Sequence, residues 1–427
     1  MTTTVARSGR DTGESAAAAA GACALRAGSP GAGSLDARGA MRVLLAIPYY
    51  PPVVGGAEVH VSRLAAALSR RGHRVEVLTT YAAPMPRARH WRDTNGVAVT
   101  AVGHRLPEAM RPRAYVASVA ARVAAPRDPY DVLQLFLPGL HVVSGLAAAR
   151  LRGTATAVMF GSSLHVPQLR ALALGRLQLA AILRWADAVV VLNEEMRQDF
   201  RSIGVPDAQI IWLPCSVDTS AFRVPSPEER VAARRALQLA DDAFVVTFVG
   251  RFDPAKNLAA LVRGVGTFAR VHPKAVLCLV GDGAERAALE QLATHEAPPA
   301  CVRFVGQRLG DEVAGILQAA DVFAMLSHSE GIPCALVEAM ATGLPCLVHD
   351  IPALGQLVDD GVHGVRVPVD DAPALQRALS ALAGDAATRR RMGMAGREVV
   401  RTRFDVDVVA EAHEALYRRA MLHAAAF

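Results

Sequence analysis

The chain has 427 residues, 52% hydrophobic and 20% charged, with a formal net charge of +6. That size and balance fit two or three globular domains and exclude a disordered or fibrous chain. No apolar run approaches the ~18 residues that cross a bilayer, and the aromatics are not interleaved with basic residues as in a nucleic-acid module, so no nucleic-acid partner is expected.

The charge is uneven. Residues 1–220 hold 24 Lys+Arg and 15 Asp+Glu, a net +9; the remainder holds 22 and 25, a net −3. A basic first half fits an anionic membrane face or an acidic substrate, and it equally fits an ordinary solvated surface. The six cysteines, at positions 23, 215, 278, 301, 334 and 346, form no Cys-x-x-Cys pair. Most lie in apolar stretches and read as small buried thiols in a reducing, cytoplasmic compartment. Of 46 basic residues only Lys256 and Lys274 are lysines. In a chain that otherwise uses arginine, a retained lysine points to a need for a compact ammonium, or to chance.

Residues 1–40 are rich in Ala, Gly and Ser and read as a disordered tail, with a signal peptide as the alternative. Met41 opens a strand. Apolar runs of strand length follow at 42–47, 75–79, 97–102, 132–136, 154–160, 188–192 and 209–213, with helical periodicity at 57–71 and 164–185. Strands that are apolar throughout and alternate with helices imply a parallel sheet covered on both faces. Residues 218–229, carrying Pro225 and Pro227, read as an interdomain linker.

A second alternating set begins there. Strands are predicted at 244–249, 275–280, 302–305, 322–325 and 345–348, and helices at 257–271, 284–293, 311–319, 334–341, 372–382 and 405–422. The expected class is α/β. Two doubly wound domains, 41–220 and 221–404, face a central cleft, and a helix in 405–427 packs back on the first. Ligands sit where carboxyl ends of strands meet such a cleft.

Two segments carry chemistry. At the end of the strand 244–249 stand Gly250-Arg251-Phe-Asp-Pro-Ala-Lys256-Asn. Arg251 offers a fork and Lys256 a point charge to an oxyanion. Further on stand Glu330-Gly331-Ile332-Pro333-Cys334-Ala-Leu-Val-Glu338. Pro333 fits the first turn of a helix, whose free N–H groups attract anions. Glu338 lies about 6–8 Å further along that helix at ~1.5 Å per residue. That is the spacing from a pyrophosphate to its ribose. Glu330, ahead of the helix, would meet the transferred sugar. Both carboxylates could instead be surface charges.

This second segment resembles the E-x7-E motif of the retaining GT-B glycosyltransferases of the family 4 type (glycosyltransferases group 1). The likeness extends to Glu338-Ala-Met-Ala-Thr-Gly-Leu-Pro-Cys and to Asp359-Asp-Gly-Val-His-Gly-Val-Arg-Val-Pro. Val280-Gly281-Asp-Gly283-Ala-Glu-Arg resembles the family's Gly-Asp-Gly loop, and Tyr50-Pro-Pro-Val-Val-Gly55-Gly56-Ala-Glu its glycine-rich loop. The likeness runs from Met41 to about Arg419. It implies a hexosyltransferase (EC 2.4) that takes a UDP- or GDP-sugar as substrate and needs neither cofactor nor metal. Arg251 and Lys256 would neutralise the leaving nucleoside diphosphate. Glu330 would hold the sugar and Glu338 the ribose, while Gly55 and Gly56 admit the phosphates. The acceptor would be a sugar, a lipid or a small molecule, with the protein at the inner face of the plasma membrane if the acceptor is lipid-linked.

The chain departs from the pattern on the acceptor side. Phe160 stands where many members have His, and the strand 132–136 carries Gln134 and Phe136. His165 is the candidate substitute, or a polar surface residue. A catalytically inactive sugar-nucleotide binder of the same fold is the second reading. A nicotinamide-dependent oxidoreductase is the third, but Gly281-Asp-Gly283-Ala-Glu-Arg286 lacks the last glycine of the dinucleotide fingerprint.

Overall fold

The computed structural model describes residues 39–425 apart from 54, 87, 126–127, 163–164 and 332. The expectation for the tail therefore lies outside the described residues, save Gly39 and Ala40. So does Ile332.

The first half forms β1 (Arg42–Ala46), β2 (Arg74–Thr80), β3 (His90–Arg92), β4 (Ala98–Val102), β5 (Val132–Phe136), β6 (Ala155–Met159), β7 (Ala188–Val191) and β8 (Ile210–Trp212), all but β3 from the apolar runs. They assemble in the order β3-β4-β2-β1-β5-β6-β7-β8, parallel except for β3, which pairs antiparallel with β4. Leu45 on β1 stands opposite Val77 on one side and Gln134 on the other. The crossovers are α1 (Gly56–Arg70), α2 (Arg111–Ala124), α3 (Leu140–Arg152), α4 (His165–Ala171), α5 (Ala173–Trp185) and α6 (Glu194–Ser202). On α1 the buried Val61, Leu64, Ala65 and Leu68 recur at helical spacing, so one stripe meets the sheet.

The second half begins with α7 (Pro227–Ala236), then alternates β9 (Phe244–Val249), α8 (Leu258–Ala269), β10 (Ala275–Val280), α9 (Arg286–Glu296), β11 (Val302–Gly306), α10 (Asp311–Ala319), β12 (Val322–Met325), α11 (Cys334–Ala341), β13 (Cys346–His349), α12 (Pro352–Gly355) and β14 (Gly364–Val367). It ends in α13 (Ala372–Gly384), α14 (Ala386–Arg403) and α15 (Val406–Ala424). The sheet order is β11-β10-β9-β12-β13-β14, parallel throughout. Strand order reverses direction beside β1 in one sheet and beside β9 in the other, the positions where such folds open a crevice.

Three expectations need correction. The linker ends earlier than predicted, because Pro227 already opens α7. Ser226 caps that helix in a capping box with Glu229, which overrides the loop-like composition. The helical run 164–185 is two helices, broken at Leu172 in extended backbone. Gly175 makes the break possible, since a Cβ there would stand 2.2 Å from the Leu169 carbonyl oxygen. The strands β3 and β14 and the helices α2, α3, α6, α7, α12 and α14 are not among the predicted elements.

Charge fixes α7 to its sheet. Arg230 and Arg234 donate to the two oxygens of Asp321 at 2.7 and 2.8 Å, and the second oxygen also accepts the Val245 N–H at 2.8 Å. Burial pulls the Arg230 pKa down, and Asp321 opposes that pull. The far end of the chain returns to the first half. Residues Val217 and Asp405 form a parallel bridge. From α15, the Tyr417 hydroxyl donates to Gln134 Oε1, and Glu414 accepts from Arg71. Gln134 is fully buried and owes its place to this contact, not to the cleft.

Candidate active site

The carboxyl ends of β1, β5 and β6 and those of β9, β10 and β12 open on one cleft of ≈ 900 Å³. Arg251, Lys256, Gly55, Gly56, Gly281, Gly283, Glu330, Gly331, Pro333, Cys334 and Glu338 all line it. Every described residue singled out in the sequence for donor binding is thus brought to one place.

The loop after β9 is held rigidly. Asp253 accepts the Ala255 N–H at 3.1 Å and starts a turn of 3-10 helix through Lys256. Asn257 then takes the left-handed conformation (φ 49°, ψ 44°) at the start of α8. This turn aims Lys256 at the loop that follows the neighbouring strand β12, where its Nζ donates to Glu330 Oε1 at 2.6 Å. The Ser327 hydroxyl donates to the same oxygen at 2.7 Å. Both partners are largely buried, with 18% and 7% of their side chains exposed. Lys256 and Glu330 therefore neutralise each other.

Gly281 and Gly283 owe their identity to packing. A Cβ on Gly281 would stand 1.9 Å from the Gly250 carbonyl oxygen, and one on Gly283 2.3 Å from that of Phe252. The two loops lie flush because neither glycine has a side chain. Gly331 serves in the same way between the halves, 2.5 Å from the Gly161 oxygen if a Cβ were added.

Pro333 stands one position earlier than expected, at the N-cap of α11 rather than in its first turn. Its carbonyl accepts the Leu336 and Val337 N–H groups at 3.0 and 3.3 Å, and those of Cys334 and Ala335 have no partner among the described residues and suit an anion. Cys334 is only half-buried, unlike the other described thiols, and its Sγ lies 3.4 Å from the Gly56 carbonyl oxygen. Opposite it, Gly55 caps α1, and the Glu58 carboxylate folds over that glycine so closely that a Cβ would meet it at 2.2 Å. Burial raises the Glu58 pKa, while the Arg251 charge pulls it down.

The amino-terminal wall also brings residues the sequence did not single out. Arg63 donates to Glu338 Oε1 at 2.6 Å. One turn earlier on α1, His60 Nδ1 accepts the Ser216 N–H at 3.1 Å, so the ring proton lies on Nε2. Burial holds the His60 pKa down at about 3, with the His413 and Arg63 charges adding to it. Phe160 lines the cleft but belongs to the core, packed on Phe200 at 5.6 Å. His165 stands edge-on to it at 5.8 Å and also lines the cleft, with its Nδ1 buried and without a hydrogen-bond partner among the described residues. Burial lowers the His165 pKa.

Comparison with known proteins decides the class. Residues 54–221 match the Glycosyltransferase Family 4 model, and residues 229–399 match Glycosyl transferases group 1. The chain belongs to the group 1, family 4-type glycosyltransferases. It has their GT-B fold, and as a hexosyltransferase-class enzyme (EC 2.4) it is not a nicotinamide oxidoreductase. It is 29% identical to a phosphatidyl-myo-inositol mannosyltransferase of Mycobacterium leprae over 379 residues, 87% of this chain and 94% of that one. It is 34% identical to a D-inositol 3-phosphate glycosyltransferase of Nocardia farcinica over 221 residues, 50% of this chain and only 48% of the relative. Among solved structures, sucrose-phosphate synthase from Thermosynechococcus elongatus superposes with a TM-score of 0.76 at 25% identity, covering 90% of this chain and 99% of that one. Anabaena Alr3699/HepE, solved with UDP and glucose, shares the fold at a TM-score of 0.74 and 19% identity, over 88% and 98% of the chains.

Lys256→Ala should lower turnover by about 10²–10³, the usual loss for one preorganised donor to a developing oxyanion. Lys256→Arg should also turn over slowly, since a planar fork does not replace a point charge against Glu330. Turnover measured beside thermal melts checks both, and near-normal rates in the two folded variants would remove Lys256 from the reaction.

Proposed function

We propose that the cleft transfers a hexosyl group from a nucleoside-diphosphate sugar, with UDP or GDP as the nucleotide, to an acceptor hydroxyl, retaining the anomeric configuration and using no metal ion. The carrying observation is the meeting of Arg251, Lys256, Glu330 and Glu338 with the first turn of α11 in one cleft. Two cations and two free N–H groups suit a diphosphate, and the carboxylates suit the hydroxyls on either side of it.

The chemistry follows from that placement. The bond between the anomeric carbon and the β-phosphate oxygen breaks while the acceptor oxygen attacks from the same face. The acceptor proton passes to the departing phosphate. Arg251 and Lys256 stabilise the charge that grows on that phosphate, and Glu330, released by Lys256, takes the sugar hydroxyls. A thermal-shift panel of nucleotide sugars identifies the donor, because a ligand bound only by the folded state raises its melting temperature. Proton NMR of the product should show the donor's anomeric configuration, and EDTA should leave the rate unchanged. An inverted product, or activity lost to EDTA and restored by Mn²⁺, would contradict this reading. Donor binding with neither transfer nor hydrolysis would indicate an inactive binder.

Relatives named for D-inositol 3-phosphate and phosphatidyl-myo-inositol favour an acceptor that bears a phosphate, free or lipid-linked. A lipid-linked acceptor requires a membrane-facing surface. Among the described residues no helix is long and apolar enough to cross a membrane. In the arginine-rich stretch 105–113, Arg111 is folded onto the Leu106 carbonyl and the Tyr81 ring, which takes it out of any such surface. A better candidate begins at the cleft wall. Along α4 and α5, Leu172, Leu174 and Leu177 are 61%, 62% and 52% exposed, beside exposed Arg176 and Arg184 and with no acidic residue from 165 to 185. Exposed leucines with arginines suit the boundary of an anionic bilayer. The protein should co-sediment with phosphatidylglycerol vesicles at low salt and release as salt rises, since exposed charges are screened over ~8 Å at physiological ionic strength. Absence of low-salt binding would rule the surface out.

A further inference from the structure

Glu338 is reached from the opposite wall of the cleft. Arg63, on α1, is immobilised before it meets the carboxylate: its NH1 donates to the Ser216 carbonyl at 3.2 Å, and its guanidinium lies 5.1 Å from the centre of the Phe222 ring. Its NH2 then donates to Glu338 Oε1 at 2.6 Å, with 15% of the Arg63 side chain and 9% of the Glu338 side chain exposed. A charged hydrogen bond this short and this little hydrated is strong and directional. The contact uses Oε1 and leaves Oε2 to accept a ribose hydroxyl.

We propose that Arg63 is a positioning residue for nucleotide recognition. It locks the Glu338 carboxylate from the amino-terminal half, so that ribose binds a preset acceptor rather than a swinging side chain. The proposal rests on the reading of Glu338 as the ribose-binding group. Fixing a rotamer-rich side chain in advance removes the cost of ordering it from each binding event. It also makes the donor site a product of both halves, since the cation stands on α1 and the carboxylate on α11. Arginine rather than lysine suits the role, because one fork holds Ser216 and Glu338 together.

The test is titration calorimetry of UDP against 2′-deoxy-UDP, or GDP against 2′-deoxy-GDP if the guanine nucleotide is the one bound. Four folded proteins are compared: wild type, Arg63→Met, Arg63→Lys and Glu338→Gln. The wild type should prefer the ribonucleotide by roughly tenfold, as expected for a hydroxyl bonded to a charged group. Glu338→Gln and Arg63→Met should each shrink that preference to about threefold or less, and Arg63→Lys should recover part of it. A purely structural role for Arg63 would weaken both ligands equally and keep the ratio, which would overturn the proposal. A ratio kept in Glu338→Gln, or absent in the wild type, would instead refute the ribose assignment of Glu338 and the proposal with it. Loss of the ratio in Glu338→Gln alone would refute only the role given to Arg63.

Discussion

Parallel strands cannot follow one another without a crossover, so every loop leaving a carboxyl end opens on the same edge of its sheet. Two such sheets, each reversing its strand order beside its first strand, present two sets of loops. The chain closes these sets on one another through the Val217–Asp405 bridge and the return of α15 to the first half. The cleft is a consequence of that constraint. Its walls need no side chain to create them, only glycines such as Gly281 and Gly331 that let loops approach closely.

What side chains add is charge held in waiting. Lys256 is paired with Glu330, and Arg63 with Glu338, both at 2.6 Å and both largely out of water. Leaving either partner alone would be costly, so each pair compensates its buried charges while ordering the groups. In the proposed reaction a diphosphate sugar takes over both sides of the first pair, its phosphate drawing the ammonium and its hydroxyls the carboxylate. Charge already in place needs little reorganisation when the glycosidic bond breaks, which is the main source of electrostatic catalysis.

Much of this was legible in the sequence, for reasons that can be named. Strands such as Val132–Phe136 are buried along their whole length and appear as unbroken apolar runs. By contrast β3 is a three-residue antiparallel edge, and β14 alternates buried ends with half-exposed Val365 and Arg366, so neither makes such a run. The Arg-rich α14 hides its helical period among charges. Within the site, Arg251, Lys256 and the two glutamates sit in short loops and one helix turn, where residue type and spacing carry the chemistry. Arg63 was not legible. Its partner lies 275 residues away, and nothing on α1 sets it apart from the arginines around it. Gln134 misled in the other direction. Its position suggested the acceptor side, but its contact is Tyr417 of the last helix.

The central claim is that the two glutamates bind donor and do not merely brace the start of α11. Steady-state kinetics of Glu330→Gln and Glu338→Gln, measured beside thermal melts, test it most directly. Glu338 should hold ribose equally in ground and transition states, so its loss should raise KM with little change in kcat. Glu330 should hold a sugar that gains positive charge as the bond to phosphate breaks, so its loss should lower kcat more than it raises KM. If both variants melt earlier yet keep normal kinetic constants per folded molecule, the glutamates are structural and the account of this cleft is wrong.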